Sequence, residues 1–104
     1  KRLALKVALT DRARDGRIFI IESFDFAEPN TKLAREILHK IVPDKGWKLV
    51  VTDGHHFPTV KSFNNLPDVM TDRADSLYAY EILKSHYIVM TQDALHKVEE
   101  VFSK

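Results

Sequence analysis

Apolar positions recur along this chain with two alternating periods, and the alternation predicts a layered α/β domain. Residues 2–14 read as a helix: Leu3, Ala4, Leu5, Val7, Ala8 and Leu9 cover most of the circumference, and Arg2 and Lys6, four apart, share the remaining stripe. Gly16 then supplies a left-handed stop. Ile18 to Ile21 is an unbroken run of β-branched and aromatic residues, the pattern of a strand covered on both faces and so of a parallel sheet. Pro29 stands where a first helical position belongs, and Leu33, Ile37 and Ile41 follow at four-residue spacing, predicting a helix over 29–41. Pro43 and Gly46 break it, and Trp47 to Thr52 reads as a second covered strand ending at Asp53 and Gly54.

The same alternation continues to the end. A helix after His56 carries Val60 and Phe63 and closes at Asn64-Asn65-Leu66-Pro67, before a short strand Val69-Met70-Thr71. Asp75 or Ser76 caps a short helix whose core positions are Leu77, Tyr80 and Leu83, and Tyr87 to Met90 forms the last strand. Thr91 caps a final helix with Leu95, Val98 and Phe102 inward and His96, Lys97, Glu99 and Glu100 outward. Right-handed crossovers between such units give an open, mostly parallel four-stranded sheet with helices on both faces, a three-layer sandwich over residues 1–104 as one domain.

Composition narrows the class without choosing a function. A chain of 104 residues buries about 65% of its unfolded surface, enough for a real core. No apolar run approaches the ~20 residues of a membrane span, and Lys6, Asp11 and Arg12 interrupt the apolar start, so neither a membrane segment nor a signal peptide is expected. With no cysteine, disulfides and thiolate metal sites are excluded.

Charge changes the picture more. Lys1, Arg2, Lys6, Arg12, Arg14 and Arg17 face only Asp11 and Asp15, so the first 17 residues carry +4 in a chain whose total is +1, and the rest carries −3. One basic surface built to meet a polyanion, on an otherwise mildly acidic body, is the simplest account.

Several stretches, in order and at matching separations, resemble the C-terminal half of the universal large-subunit ribosomal protein four family. They are Leu3 to Thr10 with the Ala13-Arg14-Asp15-Gly16-Arg17 turn, Pro29-Asn30-Thr31-Lys32, Leu49-Val50-Val51-Thr52-Asp53, Asn65-Leu66-Pro67, Leu77-Tyr78-Ala79-Tyr80-Glu81-Ile82-Leu83, and Ile88-Val89-Met90-Thr91 with Asp93-Ala94-Leu95. The resemblance implies a three-layer α/β domain that binds large-subunit ribosomal RNA, touches neighbouring ribosomal proteins and has no catalytic activity, cofactor, metal or small-molecule substrate. It also implies that the family's strands and tunnel loop would precede Lys1, making this chain the globular part of a longer protein. Asn30 in place of a common lysine, Asp75 in place of a small residue and Tyr78 in place of asparagine depart from the family and weaken RNA contacts there. The Leu-Lys-Val-Ala-Leu-Thr wording and near-neutral charge resemble mitochondrial members, with the bacterial cytoplasm or a plastid as the alternative.

Counterion release makes cations the first candidates for RNA contact. Lys1 at the start, Arg2 and Lys6 on the helix stripe, Arg12, Arg14 and Arg17 around the Gly16 turn, and Thr31 and Lys32 in the first turn of the next helix, where free amides favour an anion, form the expected set. Each has a plainer reading as a solvated helix face, an ion pair with Asp11 or Asp15, or an ordinary cap. Tyr78 is the aromatic best placed to stack on a base, whereas Tyr80 by its spacing reads as core and Trp47 as packing. Two other classes remain in view. Asp53 after a parallel strand, with Glu22 and Asp25, suggests a receiver-like domain, but Thr91-Gln92 follows the last strand where a receiver needs lysine. Asp53, His55 and His56 suggest a metal site, but adjacent histidines rarely point at one ion and no third ligand stands at helical spacing. A protein-docking module using the acidic body, with Glu99 and Glu100 exposed, overlaps with the ribosomal reading.

Overall fold

The computed structural model describes residues 2–54 and 56–103, apart from the side chains of Arg2, Phe102 and Ser103. Helix α1, Arg2–Arg14, ends where Gly16 takes φ +70°, the Gly16 amide bonding to Ala13 O and the Arg17 amide to Arg12 O. That is a Schellman stop, the conformation glycine adopts without strain. The chain then runs through β1 Ile18–Ile21, α2 Thr31–Ile41, β2 Lys48–Thr52, α3 Phe57–Asn64, β3 Val69–Arg73, a 3₁₀ turn Ala74–Ser76, α4 Ala79–Lys84, β4 Tyr87–Thr91 and α5 Gln92–Ser103. All strands are parallel, in the order β1-β4-β2-β3.

The strand pattern sorts the core into two layers, because successive residues point to opposite faces. Leu49 and Val51 of β2 and Ile88 and Met90 of β4 pack with Leu5, Ala8 and Leu9 of α1, Ile82 of α4, and Ala94 and Val98 of α5. Val50 and Val89 face the other way, onto Ala34 and Leu38 of α2 and Phe63 of α3, with Phe26. The expected three-layer sandwich with helices on both faces is therefore present. Among the described residues no helix is long and apolar enough to cross a membrane.

Four local expectations are corrected. The β1 strand forms where expected but lies at the sheet edge, paired only with β4: Ile18 packs on one helix layer and Phe19 and Ile21 on the other, all only half-buried, and Ile20 is 40% exposed. Helix α2 starts at Thr31, because the Asn30 side chain accepts from the Leu33 amide at 3.0 Å and takes the cap that Pro29 precedes. The strand β3 continues to Arg73, two residues past Thr71, because its pairing with β2 runs on through Asp72 and Arg73. Residues 74–76 form the 3₁₀ turn, Leu77 is extended, and α4 begins only at Ala79. This shift makes Ile82 the buried residue of α4 and leaves Tyr80 67% exposed, with Leu83 exposed beside it.

Candidate nucleic-acid interface

The α1 cations divide by direction. Lys6 and Arg14 line a shallow groove of about 320 Å³ with Leu3, Val7, Thr10 and Asp11. Both cations are exposed, and Arg14 makes only a loose contact with Asp11, 3.9 Å between charged atoms. Such a pair between solvated groups holds little energy, so both cations remain available to an anion. Arg12 turns the other way: its Nε donates to Ser85 O and a terminal guanidinium nitrogen to Leu83 O, each at 3.1 Å. It satisfies carbonyls at the end of α4, which that six-residue helix leaves without intrahelical partners. Arg17 donates to His86 O at 3.5 Å, with its guanidinium carbon 5.5 Å from the centre of the Tyr87 ring. Lys1 lies outside the described residues, as does the Arg2 side chain.

The remaining predicted residues do not join this group as one surface. Thr31 and Lys32 open α2 in the opposite layer, where Thr31 Oγ1 accepts from Asn65 Nδ2 at 3.0 Å and Lys32 is exposed. Tyr78 is exposed and lines an apolar cleft of about 650 Å³ with Ala4, Leu5, Leu77 and Val101, beside the first turns of α1. Glu99 and Glu100 of α5 are exposed.

Sequence reasoning missed a constellation at the N-terminal ends of the strands. The Trp47 amide donates to His86 Nδ1 at 2.9 Å, and Trp47 O accepts from the His86 and Tyr87 amides at 2.9 and 3.1 Å. Gly46 makes the approach possible: at φ +143° it stands so close that a Cβ would lie 3.1 Å from the imidazole. Lys84 Nζ stands 5.3 Å from the centre of the Trp47 ring. The available signal was positional, since Arg17, Trp47 and His86 each immediately precede a strand or its first residue in a parallel sheet.

At the opposite end, Ser23, Thr52, Asp53, His56, Thr59, Thr91 and Asp93 line a crevice of about 370 Å³ between loops that leave for opposite faces, the usual ligand position of doubly wound sheets. Its polar groups serve their own loops: His56 Nδ1 lies 2.8 Å from Thr59 Oγ1, Thr52 Oγ1 donates to Gly54 O, and Thr91 Oγ1 accepts from the Ala94 amide. His55 lies outside the described residues, and among those described no three metal-ligating side chains converge.

One titrating group stands apart. Burial, then a hydrogen bond with Asp72 and that residue's charge, push the Glu81 carboxyl from 4.5 up to about 8, against the downward pull of the Tyr78 amide, 3.3 Å from Oε1. The folded state thus binds this proton more tightly than the unfolded chain, and its stabilising effect is lost as pH rises from about 4.5 through about 8. Urea midpoints at pH 5 and pH 8.5 are expected to fall with pH in the native chain and to differ much less in Glu81→Gln; equal slopes would remove the carboxyl pair from the account.

Residues 1–101 match the model of the ribosomal protein L4/L1 family. The chain is 38% identical over 102 residues to the large ribosomal subunit protein uL4 of Carboxydothermus hydrogenoformans, across 98% of this chain and 49% of the relative. It is 36% identical over 103 residues to the uL4 protein of Heliobacterium modesticaldum, across 99% and 49%. The chain thus spans about half the length of these bacterial relatives. A match across nearly all of its residues, on the α/β layers described above, means that the chain belongs to the ribosomal protein L4/L1 family.

Proposed function

We propose that this chain is a structural constituent of the large ribosomal subunit, binding large-subunit ribosomal RNA through the basic edge of α1 and supporting translation without a catalytic step. The carrying observation is family membership over residues 1–101, joined to two cations, Lys6 and Arg14, that face one open groove. Lys1 and Arg2, which precede this edge in the sequence, add to its positive charge, Arg17 follows α1, and Tyr78 offers a base-stacking surface near the first turns of α1. Arg12 contributes by holding the shape of the interface, and Thr31 and Lys32, at the start of α2, make a separate phosphate contact. Neighbouring ribosomal proteins are the partners of the acidic body, including the exposed Glu99 and Glu100. The net charge of +1 supports a mitochondrial ribosome. The bacterial relatives support the alternative, a bacterial ribosome.

The test is binding to a transcript of large-subunit ribosomal RNA at two salt concentrations. Replacing Arg2, Lys6 and Arg14 together by alanine is expected to weaken binding about tenfold and to lower the salt slope by about two, since each phosphate contact contributes about 0.7–0.9 to it. Unchanged affinity and slope would shift the reading to docking by protein neighbours.

A further inference from the structure

We infer that Trp47, with Arg17, Lys84 and His86, forms a stacking site for an unpaired RNA nucleotide at the N-terminal end of the sheet. The inference rests on the RNA-binding reading and adds a contact that is separate from the α1 groove. The Trp47 amide bonds to the His86 ring, its carbonyl accepts from the His86 and Tyr87 amides, and Gly46 lies close against the same imidazole. The residue nevertheless keeps 38% of its surface open to solvent. An aromatic on a fixed backbone and partly in water suits an unpaired base, because the backbone of the platform loses no further freedom when the base arrives.

The surrounding charge fits the rest of a nucleotide. Lys84 Nζ lies over the indole at 5.3 Å, and an exposed ammonium holds a ring more weakly than a stacked base does. An arriving base therefore displaces it, and its flexible stem lets the ammonium follow the phosphate. His86 Nδ1 accepts the Trp47 amide proton, so in the neutral ring the proton sits on Nε2 and is available to a phosphate oxygen or a ribose hydroxyl. The Arg17 guanidinium, over Tyr87, supplies a second cation on the adjoining strand end. The neighbouring acids are Asp44, which accepts from the Tyr87 hydroxyl at 3.4 Å, and Asp68, which is paired with Lys48 Nζ at 3.2 Å. Phe57, Tyr78 and Tyr80 are more exposed than Trp47, but among the described residues no cation stands over their rings.

Trp47 is the only tryptophan in the chain, so its emission reports the site directly. The 104-residue chain is titrated with a transcript of large-subunit ribosomal RNA, following fluorescence in one series and filter retention in another. Strong quenching that saturates with retention is expected. Trp47→Ala is expected to weaken binding about tenfold with an unchanged salt slope, because the lost contact carries no charge, and Trp47→Phe to recover most of it. Full retention with unquenched emission overturns the stacking site while leaving RNA binding by α1 intact, and this readout on the native chain holds even if the alanine variant misfolds. Absence of retention removes both readings together.

Discussion

Phe63→Ala is expected to cost about 3–5 kcal/mol and to lower the urea midpoint sharply. Phe63 has no exposed surface and is the largest fully buried side chain among the described residues. Its ring meets Phe24 at 4.8 Å and Phe26 at 5.6 Å between centres, both edge to face, and so ties the loop after β1 to α3. The same helix anchors the start of α2, because Ser62 Oγ accepts from the Asn30 amide at 2.7 Å. Truncation therefore removes apolar burial and leaves a cavity among groups fixed by hydrogen bonds, which cannot collapse to fill it. Since a domain of this size holds only about 5–15 kcal/mol in total, one such loss is a large share. Urea denaturation measures it, with Phe57→Ala as control: Phe57 is exposed, and its loss should shift stability by no more than about 0.5 kcal/mol. A cost below about 1 kcal/mol for Phe63→Ala would mean that this layer repacks freely and does not fix the geometry of the fold.

The contrast between these two phenylalanines indicates what the sequence could reveal. Where periodicity is a local property it was readable: β2 carries the apolar run Leu49-Val50-Val51, and it lies buried at the centre of the sheet. The edge position of β1 was not readable, because its residues carry the same apolar signature and only long-range pairing decides which strand ends the sheet. Likewise, Tyr80 and Leu83 have core spacing only if the helix starts at Asp75 or Ser76, and the extended Leu77 resets that phase. The basic block was legible as charge, and the resemblance gave it a partner class. Which face each arginine takes depends on α4 packing against α1, seventy residues away, and the Trp47 site depends on β2 and β4 being neighbours.

Arg12 and Arg14 make that difference measurable. Arg12→Ala is expected to destabilise the fold by about 1.5–3 kcal/mol, the range for hydrogen bonds from a charged donor, because it uncaps two carbonyls at the end of α4. Helix α4 has six residues, too few to hold itself together in water, so it depends on Ile82 in the core and on this clamp across to α1. Ser85, whose carbonyl takes one of the bonds, is itself buried, so water does not readily replace the lost donor. Arg14→Ala, by contrast, removes an exposed side chain and a loose ion pair, and should leave stability within about 0.5 kcal/mol. Its expected cost is in RNA binding, where the salt slope should fall by about one. Chemical denaturation and salt-dependent RNA binding, run on both variants, should therefore give opposite profiles. Equal stability losses would mean that Arg14 also serves the fold, and an Arg12 variant that stays stable while losing RNA affinity would transfer the phosphate contact to Arg12. The two residues are chemically identical and two positions apart, so opposite profiles would trace the basic edge to the direction in which α1 turns each side chain.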